Sequence, residues 1–152
     1  MKTCTIVNGN IQITLLDGTY YTTVYNYSYE YLSLPLLREV TGYVLLNHNL
    51  LFRSFAYLFP NLAIIGGSSL FNGYALVLMN NYQLEEIGLP KLNVILNGGI
   101  RIHGHPKLCY AGSIKWNYIM RNSERFVFST NKDQKLCFNK CPMYNNGSSM
   151  CP

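Results

Sequence analysis

Leu34-Pro35-Leu36-Leu37-Arg38-Glu39-Val40 returns as Phe59-Pro60-Asn61-Leu62-Ala63-Ile64-Ile65, and again as Leu89-Pro90-Lys91-Leu92-Asn93-Val94-Ile95. Each copy reads apolar residue, Pro, any residue, Leu, two residues, then Val or Ile. The prolines stand at 35, 60 and 90, spaced by 25 and 30 residues. A repeat of this length is one supersecondary unit that cannot bury its own apolar side chains and must stack on its neighbours.

A second phrase follows each copy: a glycine turn and a short alternating strand. The strands are Gly42-Tyr43-Val44-Leu45-Leu46, Tyr74-Ala75-Leu76-Val77-Leu78 and Gly99-Ile100-Arg101-Ile102-His103. An earlier copy, Gly9-Asn10-Ile11-Gln12-Ile13-Thr14-Leu15, lacks the proline partner. Each repeat therefore reads as one coil of a mostly β fold, a short right-handed parallel β-helix or leucine-rich-repeat-like solenoid. Period-two alternation turns Ile11, Ile13, Val44, Leu46, Leu76, Leu78, Ile100 and Ile102 inward, and Gln12, Leu45, Val77 and Arg101 outward. A slip of one residue in any coil would exchange the two sets. Gly42, Gly66, Gly67, Gly73, Gly98 and Gly99 fall where a coil turns sharply, and the prolines fall at corners, where no ladder bond is lost. Residues 82–87 read as a short turn. Residues 113–120 predict a short capping helix with Ser113 as N-cap and Ile114, Tyr118 and Met120 closing the end of the solenoid, Trp116 joining them.

Composition agrees. The 152 residues suit one domain; 49% are hydrophobic and 12% charged, enough to fill a core. A net charge of +5 is unclustered, since the densest basic stretch, residues 132–140, also holds Asp133. A nucleic-acid footprint needs a basic stripe, which is missing. No run of about 18 apolar residues is present to insert in a membrane, and the first residues lack the apolar core of a signal peptide. Five cysteines, at 4, 109, 137, 141 and 151, leave an odd thiol. Asn26-Tyr27-Ser28 and Asn146-Gly147-Ser148 are glycosylation sequons.

The stretch from Phe59 through Val77 resembles the receptor L domain. So does Leu89 through Met120, with Asn97-Gly98-Gly99-Ile100-Arg101-Ile102, then Leu108-Cys109-Tyr110 and Ile114-Lys115-Trp116. The resemblance is greatest to the first L domain of insulin and insulin-like growth factor receptors and covers nearly the whole chain. Epidermal growth factor receptors share the fold but match residues 70–77 less well. The resemblance implies an L domain over 1–136, incomplete at its N-terminus, and the beginning of a furin-like cysteine-rich region over 137–152. It implies a disulfide between Cys109 and Cys137, whose loop of about 29 residues would contribute roughly 3 kcal/mol in the chain-entropy model. Cys4, Cys141 and Cys151 would find their partners outside this chain, which reads as a piece of a longer extracellular receptor. A zinc site from Cys137, Cys141, Cys151 and His103 or His105 fits no common finger spacing. A Cys141–Cys151 pair in a free-standing secreted protein is the third reading.

Function follows the same resemblance. In insulin-type receptors a peptide hormone lies on the outward face of the central parallel sheet. Carried over residue by residue, that face holds Gln12, Thr14, Leu15, Asp17, Asn47, Phe71, Asn72, Tyr74, Val77, Met79 and Arg101. Gln12, Leu15, Phe71, Tyr74, Val77 and Arg101 agree with the family type. Asp17, Asn47, Asn72 and Met79 stand where vertebrate receptors carry phenylalanine, and His103 where glutamate is usual. The implied partners are an insulin-like peptide and the remaining domains of a dimeric receptor tyrosine kinase; no cofactor or metal is implied. A secreted decoy and a non-binding structural L domain are the alternatives. Catalysis by a β-solenoid needs clustered carboxylates. The seven acids here share no equivalent strand positions, and the implied disulfide removes Cys109 as a nucleophile for His103 or His105, so no catalytic residue is expected.

Overall fold

The computed structural model describes residues 3–16 and 32–138. The proline phrase is a turn followed by a two-residue strand. Proline presets φ at the second position of a β-turn. Accordingly Leu37, Leu62 and Leu92 donate their N–H to the carbonyls of Leu34, Phe59 and Leu89, at 3.1, 3.4 and 3.2 Å. Each of those closing leucines is buried. Two residues on lie β3 (Glu39–Val40), β5 (Ile64–Ile65) and β7 (Val94–Ile95), joined by β1 (Ile6–Val7). They form a parallel sheet in the order β1-β3-β5-β7, with Val40, Ile65 and Ile95 fully buried.

The second phrase builds the larger sheet. Its strands are β2 (Ile11–Thr14), β4 (Val44–Asn47), β6 (Tyr74–Met79), β8 (Gly99–His103) and β9 (Phe126–Ser129). They pair in parallel in the order β2-β4-β6-β8-β9. Ile11, Val44, Leu76 and Ile100 stand in one register, as do Ile13, Leu46, Leu78 and Ile102. The inward phase holds in every coil without a slip. These ladders meet Val40, Ile65 and Ile95 of the small sheet in one core, with Phe55, Phe59 and Leu62 between. The chain alternates between the sheets from β1 to β8. One register shift occurs, between Tyr74 and Leu76 opposite Gly99 and Ile100. An extra residue there is a bulge, and it re-aims Tyr74.

Every strand of the large sheet ends on a residue in the left-handed region: Leu15, His48, Asn80, Gly104 and Thr130, with φ of 62, 56, 51, 78 and 55°. The next residue in the last four is Asn49, Asn81, His105 and Asn131, which stack as a ladder. The N–H of Asn49 donates to Asn81 Oδ1 (2.9 Å), that of Asn81 to His105 Nδ1 (3.2 Å) and that of His105 to Asn131 Oδ1 (3.1 Å). The side-chain amides of Asn49, Asn81 and Asn131 donate back to the carbonyls of Ile13, Leu46 and Ile102. Buried backbone groups at the corner are thereby satisfied.

The end of the fold departs from expectation. The helix predicted over 113–120 is a 3-10 turn, Ala111–Ser113, followed by a single α-turn, α1 (Trp116–Ile119). Ser113 does not cap it; its hydroxyl donates to the Tyr110 carbonyl at 2.7 Å. Nor does Tyr118 face inward, being 70% exposed. Trp116 fills that role at 6% exposure, its Nε1 donating to the Ala111 carbonyl at 3.0 Å and its ring stacked on Phe126. A helix this short takes its inward face from tertiary packing rather than from its own periodicity. Beyond it the chain extends both sheets: Met120 bridges Ile95 in parallel, and β9 adds the fifth strand. The Cys109–Cys137 disulfide ties the returning segment to the preceding coil.

Candidate functional site on the outer face of the large sheet

Two ladders face outward from the large sheet. Gln12, Leu45, Val77, Arg101 and Val127 share one register, and Thr14, Asn47, Met79, His103 and Ser129 the other. The face is not uniformly open. Val77, at 0% exposure, forms a second apolar cluster with Leu45 and Tyr74, and Tyr43, Phe71, Met79 and Val127 pack around it. Outward-pointing therefore does not mean solvent-facing at the centre of this sheet. Large side chains in adjacent strands cover each other across a strand spacing of about 4.8 Å.

Phe71 and Tyr74 are joined by a pair of backbone hydrogen bonds that close a tight loop around Gly73, whose φ is +86°. Phe71 stays half-buried with its ring 5.9 Å from Tyr43. Tyr74 is only 3% exposed: it packs with Leu45 and Val77, and two guanidinium groups approach its ring. The Arg125 group lies 4.4 Å and the Arg101 group 5.9 Å from the centroid. Arg125 also donates to the Asn72 carbonyl at 3.2 Å. Gln12 donates from Nε2 to the Tyr43 hydroxyl. His103 Nδ1 lies 2.9 Å from Ser129 Oγ. Leu15 sits past the end of β2 in the left-handed corner, 68% exposed.

Of the six residues singled out from the sequence, then, Gln12, Leu15, Phe71 and Arg101 offer accessible surface. Tyr74 and Val77 form the floor beneath. Tyr43 and Arg125 belong to the same surface and were missed. Tyr43 follows the turn glycine Gly42, one residue before β4. Arg125 precedes a strand that went unrecognised, although Phe126 and Phe128 alternate with Val127. Arg101 Nε is buried and has no hydrogen-bond partner among the described residues. The sulfur of Cys109 is committed to its disulfide, which removes it from nucleophilic chemistry, and Cys137 likewise from any zinc set. Cys4 carries a free thiol that donates to the Ile6 carbonyl at 3.2 Å. Asp17, Asn26, Cys141, Asn146 and Cys151 lie outside the described residues. Among the described residues no helix is long and apolar enough to cross a membrane.

Residues 3–120 match the family model of the receptor L domain. The chain is 36% identical over 144 residues to the insulin-like peptide receptor of Branchiostoma lanceolatum, covering 93% of this chain and 10% of that protein. It is 37% identical over 145 residues to the insulin-like receptor of Drosophila melanogaster, covering 93% and 6%. Identity to the insulin receptor of Xenopus laevis is 35% over 152 residues, covering 99% and 11%. The chain thus spans about a tenth of the length of the curated relatives it matches.

Proposed function

The chain belongs to the receptor L domain family and matches the first L domain of insulin-type receptors, and on that premise we propose that it is the ligand-binding module of an insulin-receptor-like protein. It meets an insulin-like peptide on the outer face of the large sheet. Gln12, Leu15, Phe71 and Arg101 make the contacts, and Tyr74 and Val77 support them from below. The observation that carries this reading is the outward ladder itself. It carries Gln12 and Arg101 across the parallel strands, with Phe71 half-buried and Leu15 exposed beside it at the strand ends, and aromatic and arginine side chains dominate peptide-recognition surfaces. The coils wind right-handedly, residues from 137 onward open a cysteine-rich region, and the module works outside the cell in a dimeric receptor tyrosine kinase. Asn47, Asn72 and Met79 replace aromatic anchors of the vertebrate receptors, so the ligand is a divergent insulin-like peptide rather than vertebrate insulin.

The test is a titration of the oxidised, secreted protein with insulin-like peptides of its own organism. Phe71→Ala and Arg101→Ala should each weaken binding about tenfold, the effect of losing an interface anchor of roughly 1–2 kcal/mol. Leu96→Ala, just past β7 of the small sheet, should leave affinity unchanged. Equal effects of all three, or no binding by any such peptide, would overturn the assignment.

A further inference from the structure

Arg125 is seated beside two glycines. A Cβ on Gly73 would stand 2.5 Å from Arg125 Nη1, and a Cβ on Gly99 would stand 2.3 Å from the Arg125 carbonyl and 2.9 Å from its Cβ. Two glycines therefore make the room in which this side chain crosses the sheet onto Tyr74. The negative face of the ring and the Asn72 carbonyl hold the cation there. On the other strand, Arg101 approaches the same ring with its Nε buried and unpartnered. Neither guanidinium has a carboxylate among the described residues; the single ion pair there joins Arg53 to Glu85.

Two cationic groups thus share one ring, and neither forms an ion pair among the described residues. We infer that Arg125 is a specificity-determining residue: with Arg101 it forms a cationic clamp over Tyr74 that receives a carboxylate of the bound peptide. The inference rests on the peptide-binding reading of this face and narrows it. A ligand group arriving at Tyr74 meets a guanidinium instead of an aromatic ring, so an acidic side chain is favoured where an apolar one would otherwise fit. Only one of the five donors of Arg125 is used by Asn72, which leaves its planar fork free to pair with a carboxylate. Lysine could not reproduce this, lacking both the flat face for the ring and the fork.

The test observes the Nε–H resonances of Arg101 and Arg125 by NMR in the oxidised chain. The probes are acetyl-Phe-Glu-Tyr-amide and its Gln isostere, acetyl-Phe-Gln-Tyr-amide, at constant ionic strength. The Glu peptide should shift both resonances and bind about tenfold more tightly than the Gln peptide, the usual gain for a charge-assisted contact. In Arg125→Gln the preference should vanish while the remaining spectrum is unchanged, and Arg125→Lys should restore little of it. Equal binding of the two peptides, or a Glu preference that survives in Arg125→Gln, would overturn the clamp. A chain that keeps the Glu preference yet binds no insulin-like peptide upholds the clamp and removes only its hormone.

Discussion

His105 occupies a rung that asparagine holds on either side of it. Its Nδ1 accepts from the Asn81 N–H as Asn131 Oδ1 accepts from His105 itself. The Asn81 carbonyl is the more distant neighbour of Nδ1, at 3.4 Å, and Nε2 is buried with no hydrogen-bond partner among the described residues. Burial lowers its pKa below the ordinary 6.5; hydrogen bonds to the Leu78 and Asn81 backbone oppose the shift, and neighbouring His103 adds to it. The folded state thus resists a proton that the unfolded state accepts. Stability contributed by the neutral ring is intact above pH 6.5 and declines as pH falls below it. His105→Asn supplies the same acceptor without a titrating group. In urea melts at pH 7.5 and 5.5, the wild type should lose stability at the lower pH and the variant clearly less; equal losses would show that another group controls the slope. None of this ladder could be foreseen from the corner residues. Leu15, His48, Asn80, Gly104 and Thr130 share a backbone conformation but no side-chain chemistry, and their spacing is irregular.

At the level of elements, the strands were legible because period-two alternation and repeated prolines are local signals that burial reinforces. The inward residues of β2, β4, β6 and β8 followed directly. The segment after β8 was not legible in this way. Helical propensity over 113–120 suggested a cap with Tyr118 inside, but the chain needs a bridge at Met120 and a strand at β9, and packing overrides propensity in so short a piece. Trp116→Ala should therefore cost about 3 kcal/mol, as expected for emptying a buried aromatic site. Tyr118→Ala, on the solvent side, should change stability by less than about 0.5 kcal/mol. Denaturant midpoints of the two variants decide between the phases, and a reversal of their order would restore the predicted helix. The face residues were legible as a register but not as a surface. Alternation states which way Val77 points, whereas only packing with Leu45 and Tyr74 states that it is covered.

For the whole molecule, the family was readable from a few linked motifs. Gly73 leaves the room that Arg125 fills, since a Cβ there would stand 2.5 Å from Arg125 Nη1. The stacked architecture also ties the effect of a substitution to its position along the stack. Leu76 has rungs on both sides, at Val44 and Ile100, whereas Ile11 has one, at Val44. Leu76→Ala should cost about 3–4 kcal/mol and Ile11→Ala about 1–2. Equilibrium unfolding of both variants would show it, and equal losses would argue against rung-wise coupling.

The parallel register of the large sheet has a kinetic consequence as well. Amide protons of β6, flanked on both sides, can exchange with solvent only through openings that separate it from two neighbours. Those of β2, at the margin, need lose only one. Deuterium should therefore enter from the margin inward, with β6 the last to label. A ligand bridging Gln12 on β2 to Arg101 on β8 would act as a splint across that fraying margin, and protection of β2 amides would report its arrival.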